Sequence, residues 1–394
     1  MRIGFAALVV GYVLSQFYRA CLAVLTPILG TELGADSADL SLASGIWFLT
    51  FAAMQFPVGW ALDKIGPRQT AAGLLAIGGG GGTVMFALAS SPVDIQIAMG
   101  LIGIGCSPVL MASYYILARS FPAAMFATLG GAVVGIGTMG NLASATPLAW
   151  AAEEFGWRNS MWVLCLITMG VATAIALFVR NPVAQEDTSE AAKSDGFLQL
   201  FKIRAIWLIA PLMFVSYASA AGLRGLWVGP FMQDIYGLDA AGIGYITLAM
   251  GLGMSVGGFI YGPLERMLGT RKWVVLGGSV GTFLCLSYLA FMPDVGVYMT
   301  AGLLALIGVF GMSFTMMMAH GRSFIPAHLT GRGVAFLNLC SIAGVGVMQS
   351  FSAQAFAFGA ASSLSAGYSS LFLFFALPII AAGLVYLMIQ DRVD

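Results

Sequence analysis

Apolar runs long enough to cross a bilayer recur along almost the whole chain, at about 3–29, 42–62, 70–90, 93–117, 126–150, 159–179, 206–232, 242–263, 273–292, 297–319, 333–357 and 367–389. A helix needs about 20 predominantly apolar residues to span the hydrocarbon core, and inside it every backbone polar group must be bonded within the segment. Twelve transmembrane helices in an all-α membrane protein are therefore expected. Only 9% of the residues are charged, against about a quarter in a soluble domain, which excludes a soluble enzyme. A formal net charge of zero leaves no basic arm for nucleic acid.

The runs are numbered below as the first to the twelfth span. The first begins just after Arg2, is longer than a signal-peptide core and lacks a small-residue cleavage site, so it reads as a retained span. One long polar stretch, 181–203, carries Glu186, Asp187, Glu190, Lys193 and Asp195 and separates six spans from six. The expected organisation is an N-terminal six-helix half at 1–180, a cytoplasmic linker at 181–203 and a C-terminal six-helix half at 204–394. Lys and Arg concentrate in cytoplasmic loops. Of the 17 here, fourteen fall on one side of the spans, Arg158 alone falls on the other, and Arg19 and Arg224 lie inside spans. Both termini are thus expected in the cytoplasm, in an integral protein of a bacterial cytoplasmic (inner) membrane.

The halves repeat in register. Gly59, Gly66 and Arg68 recur as Gly262, Gly269 and Arg271, and Arg119-Ser120-Phe121 recurs as Arg322-Ser323-Phe324, every pair offset by 203. A shared offset at equivalent loops marks two halves related by an axis along the membrane normal, as in secondary transporters.

The segment Gly59-Trp60-Ala61-Leu62-Asp63-Lys64-Ile65-Gly66-Pro67-Arg68 resembles the G-x-L-a-D-r-x-G-r-r signature between the second and third helices of the major facilitator superfamily. The resemblance covers the whole chain and implies that fold, two pseudo-symmetric six-helix bundles working by alternating access. It implies a cytoplasmic latch of Asp63 with Arg68 and Arg119; the alternative is a set of solvated charges. Met99 stands where proton-coupled members usually carry an arginine in the fourth helix, and the fifth-helix stretch Gly131–Ile136 lacks the antiporter proline. Both departures disfavour a drug/proton antiporter.

Charges inside spans are the most informative residues. An arginine near the bilayer centre costs about 2.5–3.5 kcal/mol on insertion scales and normally faces a polar interior. Arg19 and Arg224 lie at similar depth in the first and seventh spans, and each follows a tyrosine by seven residues, Tyr12 and Tyr217, which two helical turns place on one face. Ser15 and Gln16 extend the first face and Trp227 the second. No span carries an Asp or Glu near its middle, so a bound anion is expected to neutralise the pair. The alternative is that each guanidinium bonds backbone carbonyls or snorkels to the interface. The resemblance agrees with the anion reading, because organophosphate-exchange members clamp their anion with arginines of the first and seventh helices. Guanidinium forks suit carboxylate, phosphate ester or sulfonate alike.

Further polar positions inside spans are Tyr114, Tyr115, Asn141, Asn338 and Gln349. Tyr114, Asn338 and Gln349 are kept as candidate substrate contacts beside helix–helix hydrogen bonding. The run Gly78–Gly82 lacks the Lys-Ser/Thr of a phosphate loop and reads as close helix packing. Cys21, Cys106, Cys165, Cys285 and Cys340 read as small core residues.

The expected function is secondary transport of a small organic anion by a monomeric, non-enzymatic protein without metal or other cofactor. Its coupling partner is a proton or a counter-anion. With no mid-span carboxylate, the routes are anion exchange, protonation of the substrate, or titration of His320, which also suits a helix-end interface. The alternatives are an exporter of hydrophobic compounds and a transporter-like sensor.

Overall fold

The computed structural model describes residues 2–120, 123–181, 200–326 and 330–393. The linker expected at 181–203 therefore falls outside the described residues apart from 181 and 200–203. Among the described residues the chain is helical with no strand, and ten helices are long and apolar enough to cross a membrane, eleven with one bent pair. These ten account for the second to fourth and the sixth to twelfth runs. The bent pair, Ile3–Tyr18 and Leu22–Leu33 at 51°, is the first span. The fifth run is helical in two pieces, Ala123–Ala143 and Thr146–Phe155, with Pro147 just inside the second piece, where its missing N–H is tolerated.

The chain divides into two compact units, Met1–Val183 with Arg224–Leu248, and Ala184–Leu223 with Ala249–Asp394.

In the first unit, glycines let helices approach closely. A Cβ on Gly78 would sit 2.7 Å from both Leu101 O and Gly105 N, so the glycine run in the third span packs directly on the fourth. Gly66 has φ +97°, a conformation L side chains rarely adopt, and a Cβ there would lie 2.5 Å from Asn181 Nδ2. The space it leaves admits Asn181, whose Oδ1 accepts the Arg68 N–H at 3.0 Å where the third span begins. Glu32, at the end of the first span, accepts from Trp157 Nε1 at 2.9 Å and pairs with Arg158 at 2.5 Å, while Arg158 Nη2 donates to Ala89 O. That cluster ties together the ends of the first, third and sixth spans.

In the second unit the chain's last turn docks on the start of the ninth span. Asp391 accepts from the main-chain N–H of Arg271 at 3.2 Å and of Lys272 at 3.0 Å, and from the Thr270 hydroxyl. His320 is fully buried under this tail. Its Nδ1 lies 2.5 Å from Tyr386 Oη and its Nε2 3.1 Å from Gln390 O. Arg392 bonds Ser323 O and covers the Phe324 ring at 4.7 Å. Among the described residues, all five cysteines are free thiols, four buried and Cys340 half-buried.

Candidate functional site

Arg19 sits where the first span breaks. The helix stops at Tyr18, residues 19–21 form a turn, and the second segment starts at Leu22. Its guanidinium is half-buried in an aromatic wall from the second span, with Cζ 5.0 Å from the Trp47 ring centroid, 5.6 Å from Phe51 and 6.0 Å from Phe48. Trp47 and Phe51 of that wall stack on each other with centroids 5.1 Å apart. A cation over an aromatic face gains about 0.5–1 kcal/mol when exposed and about 2 when desolvated. Aromatic faces leave the hydrogen-bonding capacity of the guanidinium unused. Among the described residues its one hydrogen bond to a side-chain oxygen is Nη2 to Ser15 Oγ at a long 3.5 Å, and Nε is buried with no partner. Trp47 Nε1, in a fully buried ring, is likewise unpartnered, as is Oε1 of Gln16, one turn before Arg19. Gln16 Nε2 donates to Tyr12 Oη at 2.7 Å, which joins two expected site residues on one face.

Arg224 occupies the same kind of irregularity. The seventh span is α-helical to Gly222, passes through a π-helical turn at Leu223–Trp227 and resumes at Val228. Single π turns inside α-helices are frequent at functional sites. The Arg224 side chain is buried, and its Nη1 donates to Asn141 Oδ1 at 3.0 Å while Nη2 donates to the Asn141 carbonyl. That carbonyl lies in the last turn of Ala123–Ala143, where backbone oxygens lack helical partners and carry the negative end of the helix dipole. For Arg224 the structure thus shows the carbonyl pairing weighed above as the alternative to a ligand role. The two arginines share a level of the first unit, since a Cβ on Gly225 would meet the Arg19 carbonyl oxygen at 3.0 Å. Beyond them, Gly229 packs so closely that a Cβ there would overlap the Ala23 carbonyl oxygen.

The other expected residues divide as follows. Trp227 is buried in the first unit, and Tyr114 in the fourth span is half-buried. Tyr217, in the second unit, packs on Phe314 with centroids 4.3 Å apart. There too, Gln349 is fully buried with its amide against Gly222, whose added Cβ would lie 2.5 Å from Oε1, and Asn338 is half-buried. Arg68 is exposed. The side chains of Asp63 and Arg119, its expected latch partners, lie outside the described residues. Asn141 and Trp47 were not among the expected site residues, yet they are the neighbours that define the two arginines.

Residues 8–347 match the family model described as Major Facilitator Superfamily. The "Probable sulfoacetate transporter SauU" of Cupriavidus necator is 22% identical over 308 residues, 72% of this chain and 71% of that protein. The "Sialic acid transporter NanX" of Escherichia coli is 21% identical over 348 residues, 85% and 82% of the two chains. Among solved structures, that of a mutant of the nucleoside transporter NupG superposes with a TM-score of 0.78 at 12% identity, covering 98% of this chain and 99% of that one. This last likeness shows the fold alone.

Proposed function

Since the chain belongs to the Major Facilitator Superfamily, we propose that it is a secondary transporter of a small organic anion bearing a carboxylate, phosphate ester or sulfonate. The observation that carries this reading is the guanidinium of Arg19. It is held against three aromatic rings with Nε unpartnered among the described residues, at a break in its helix, in a span without a central carboxylate. A buried unpaired donor costs about 1–3 kcal/mol. An oxyanion that takes the Nε and free Nη protons removes that cost and the charge together, and its planar oxygens match the guanidinium fork. Arg224, whose fork is occupied by Asn141, supplies the second positive charge beside it. Relatives named for sulfoacetate and sialic acid fit an anionic substrate.

Transport on this reading proceeds by rocking of the halves 1–180 and 204–394 around the site, with Asp63, Arg68 and Arg119 latching them on the cytoplasmic side. Moving one uncompensated negative charge inward against an inside-negative potential costs about 2.3 kcal/mol per 100 mV. Import therefore requires a co-transported cation or an exchanged anion. The test is a thermal-shift screen of the purified protein against carboxylates, phosphate esters, sulfonates and lipophilic cations, run beside Arg19→Ala. A ligand at 100 times its dissociation constant stabilises by about 2.7 kcal/mol. Stabilisation of the wild type by one anion class, lost in Arg19→Ala, supports the proposal; stabilisation by lipophilic cations alone replaces it with export of hydrophobic compounds.

A further inference from the structure

The third and sixth spans leave a crevice of about 360 Å³ between them, lined by Arg68, Gln69, Ala72, Gly73 and Ala76 on one side and by Ala172, Thr173 and Ala176 on the other. No carboxylate lines it among the described residues. Its polarity is graded along the helix axis. Arg68 and Gln69 sit in the first turn of the third span, and the small apolar residues run inward to Ala76, eight residues or about 12 Å deeper. The main chain of Arg68 is held at this mouth by its N–H, which donates to Asn181 Oδ1 at 3.0 Å, and the exposed Arg180 is the residue before Asn181. Lys64, also exposed, precedes the turn.

We propose that this crevice binds one anionic phospholipid, with the phosphate at Arg68 and Gln69 and an acyl chain along Ala72, Gly73 and Ala76 against Ala172 and Ala176. Charge complementarity selects an anion, and the gradient selects a lipid over a free phosphate. A free phosphate uses only the mouth, whereas an amphiphile with a charged head and apolar tail matches both ends. The mouth lies on the side where Lys and Arg concentrate, the leaflet in which anionic lipids attract basic residues near the surface. The crevice is separate from the anion site, because neither Arg19 nor Arg224 borders it, and it shares Arg68 with the proposed cytoplasmic latch.

Two variants test the proposal by native mass spectrometry of the full-length protein in detergent, titrated with dioleoyl-phosphatidylglycerol or dioleoyl-phosphatidylcholine. Gly73 lines the tail channel, and a Cβ there meets nothing within 4 Å, so Gly73→Leu starts its side chain in open space and adds bulk where the acyl chain would lie. Arg68→Gln removes the charge at an exposed position. The wild type is expected to retain one phosphatidylglycerol at concentrations that leave no phosphatidylcholine bound. Gly73→Leu is expected to lose it, and Arg68→Gln to weaken it about five-fold, the usual contribution of one basic residue near an anionic surface. Excess inorganic phosphate is expected not to displace the lipid. Equal retention of the two lipids by the wild type, or wild-type retention of phosphatidylglycerol by Gly73→Leu, overturns the proposal. If Gly73→Leu fails to fold, unchanged retention by Arg68→Gln overturns it instead.

Discussion

Arg224 and Asn141 are joined twice: Nη1 of the arginine donates to the asparagine's side-chain oxygen at 3.0 Å, and Nη2 donates to its main-chain carbonyl. The seventh span is thereby fastened to the end of the first piece of the fifth, next to the helix break at Ser144–Ala145. Among the described residues Arg19 has no comparable anchor in protein oxygen, and the surroundings of the two arginines differ. On the proposed reading, Arg224 holds helices together and Arg19 takes the ligand.

Arg19 is accordingly expected to be the more sensitive of the pair to a charge-conserving change. Arg19→Lys keeps the charge and loses the fork and the aromatic stacking. Once a ligand is known from the screen above, its dissociation constant in Arg19→Lys should rise at least about ten-fold, as removal of one charged hydrogen bond at about 1.5–3 kcal/mol implies. Isothermal titration of wild type and variant measures this directly, and equal affinities refute the role.

Asn141→Ala removes the side-chain oxygen that accepts from Arg224 Nη1. We expect a loss of about 1–3 kcal/mol of stability, because a buried charged donor loses that hydrogen bond. Thermal unfolding without ligand reads it. A midpoint equal to that of the wild type shows that the pair is dispensable.

Gly229 and Gly262 separate packing from propensity. Both are helical, but a Cβ at 229 overlaps the Ala23 carbonyl whereas one at 262 meets nothing within 4 Å. Gly229→Ala is expected to destabilise by about 1–3 kcal/mol through overpacking. Gly262→Ala should be neutral or stabilising by about 0.5–1 kcal/mol. Side-by-side melting curves decide, and a wild-type midpoint for Gly229→Ala contradicts the close approach.

The C-terminal tail carries a pH dependence of defined sign. Burial raises the Asp391 carboxyl, but the hydrogen bonds from the Thr270 hydroxyl and the N–H groups of Lys272 and Arg271 outweigh it, so its pKa falls below the ordinary carboxylate value. A depressed carboxylate contributes stability that is complete above the unfolded-state pKa and disappears as pH falls through the folded one. Hydrogen exchange at the amides of Arg271 and Lys272 should therefore be protected at neutral pH and lose protection, beyond the intrinsic pH effect, in the acid range below the ordinary Asp value. Asp391→Asn should show no such step, and a step of equal size in that variant excludes Asp391 as its origin.

Much of the architecture was legible because lipid enforces it: a segment without water must be helical and apolar, so the runs announce the spans. Arg19 and Arg224 stand out in the sequence for the same reason, since a charge in such a run is conspicuous. The local irregularities around them were not. Leu223-Arg224-Gly225-Leu226-Trp227 contains no proline to mark its π turn, and Arg19-Ala20-Cys21 reads as ordinary helix, yet both arginines lie where the regular ladder is interrupted. Trp47 was hidden among apolar residues because an indole is indistinguishable from core filling until its neighbour is known. Asn141 looked like one of several helix-to-helix bridges, and its sequence carries no sign that its partner is Arg224. The break in the fifth span is signalled only by Thr146-Pro147, a pair equally at home inside a kinked helix.

The five buried or half-buried thiols give the protein a practical property. Polar maleimides and spin labels react with thiolate reached from water, and here the native cysteines are screened by apolar surroundings. One new cysteine at Lys64 or Asp294, both outside the core, will dominate the labelling signal without first emptying the chain of its own. Pairs of such probes turn the protein into its own ruler, so that distances between chosen points can be followed as ligands are added, in a molecule whose interior is left as it stands.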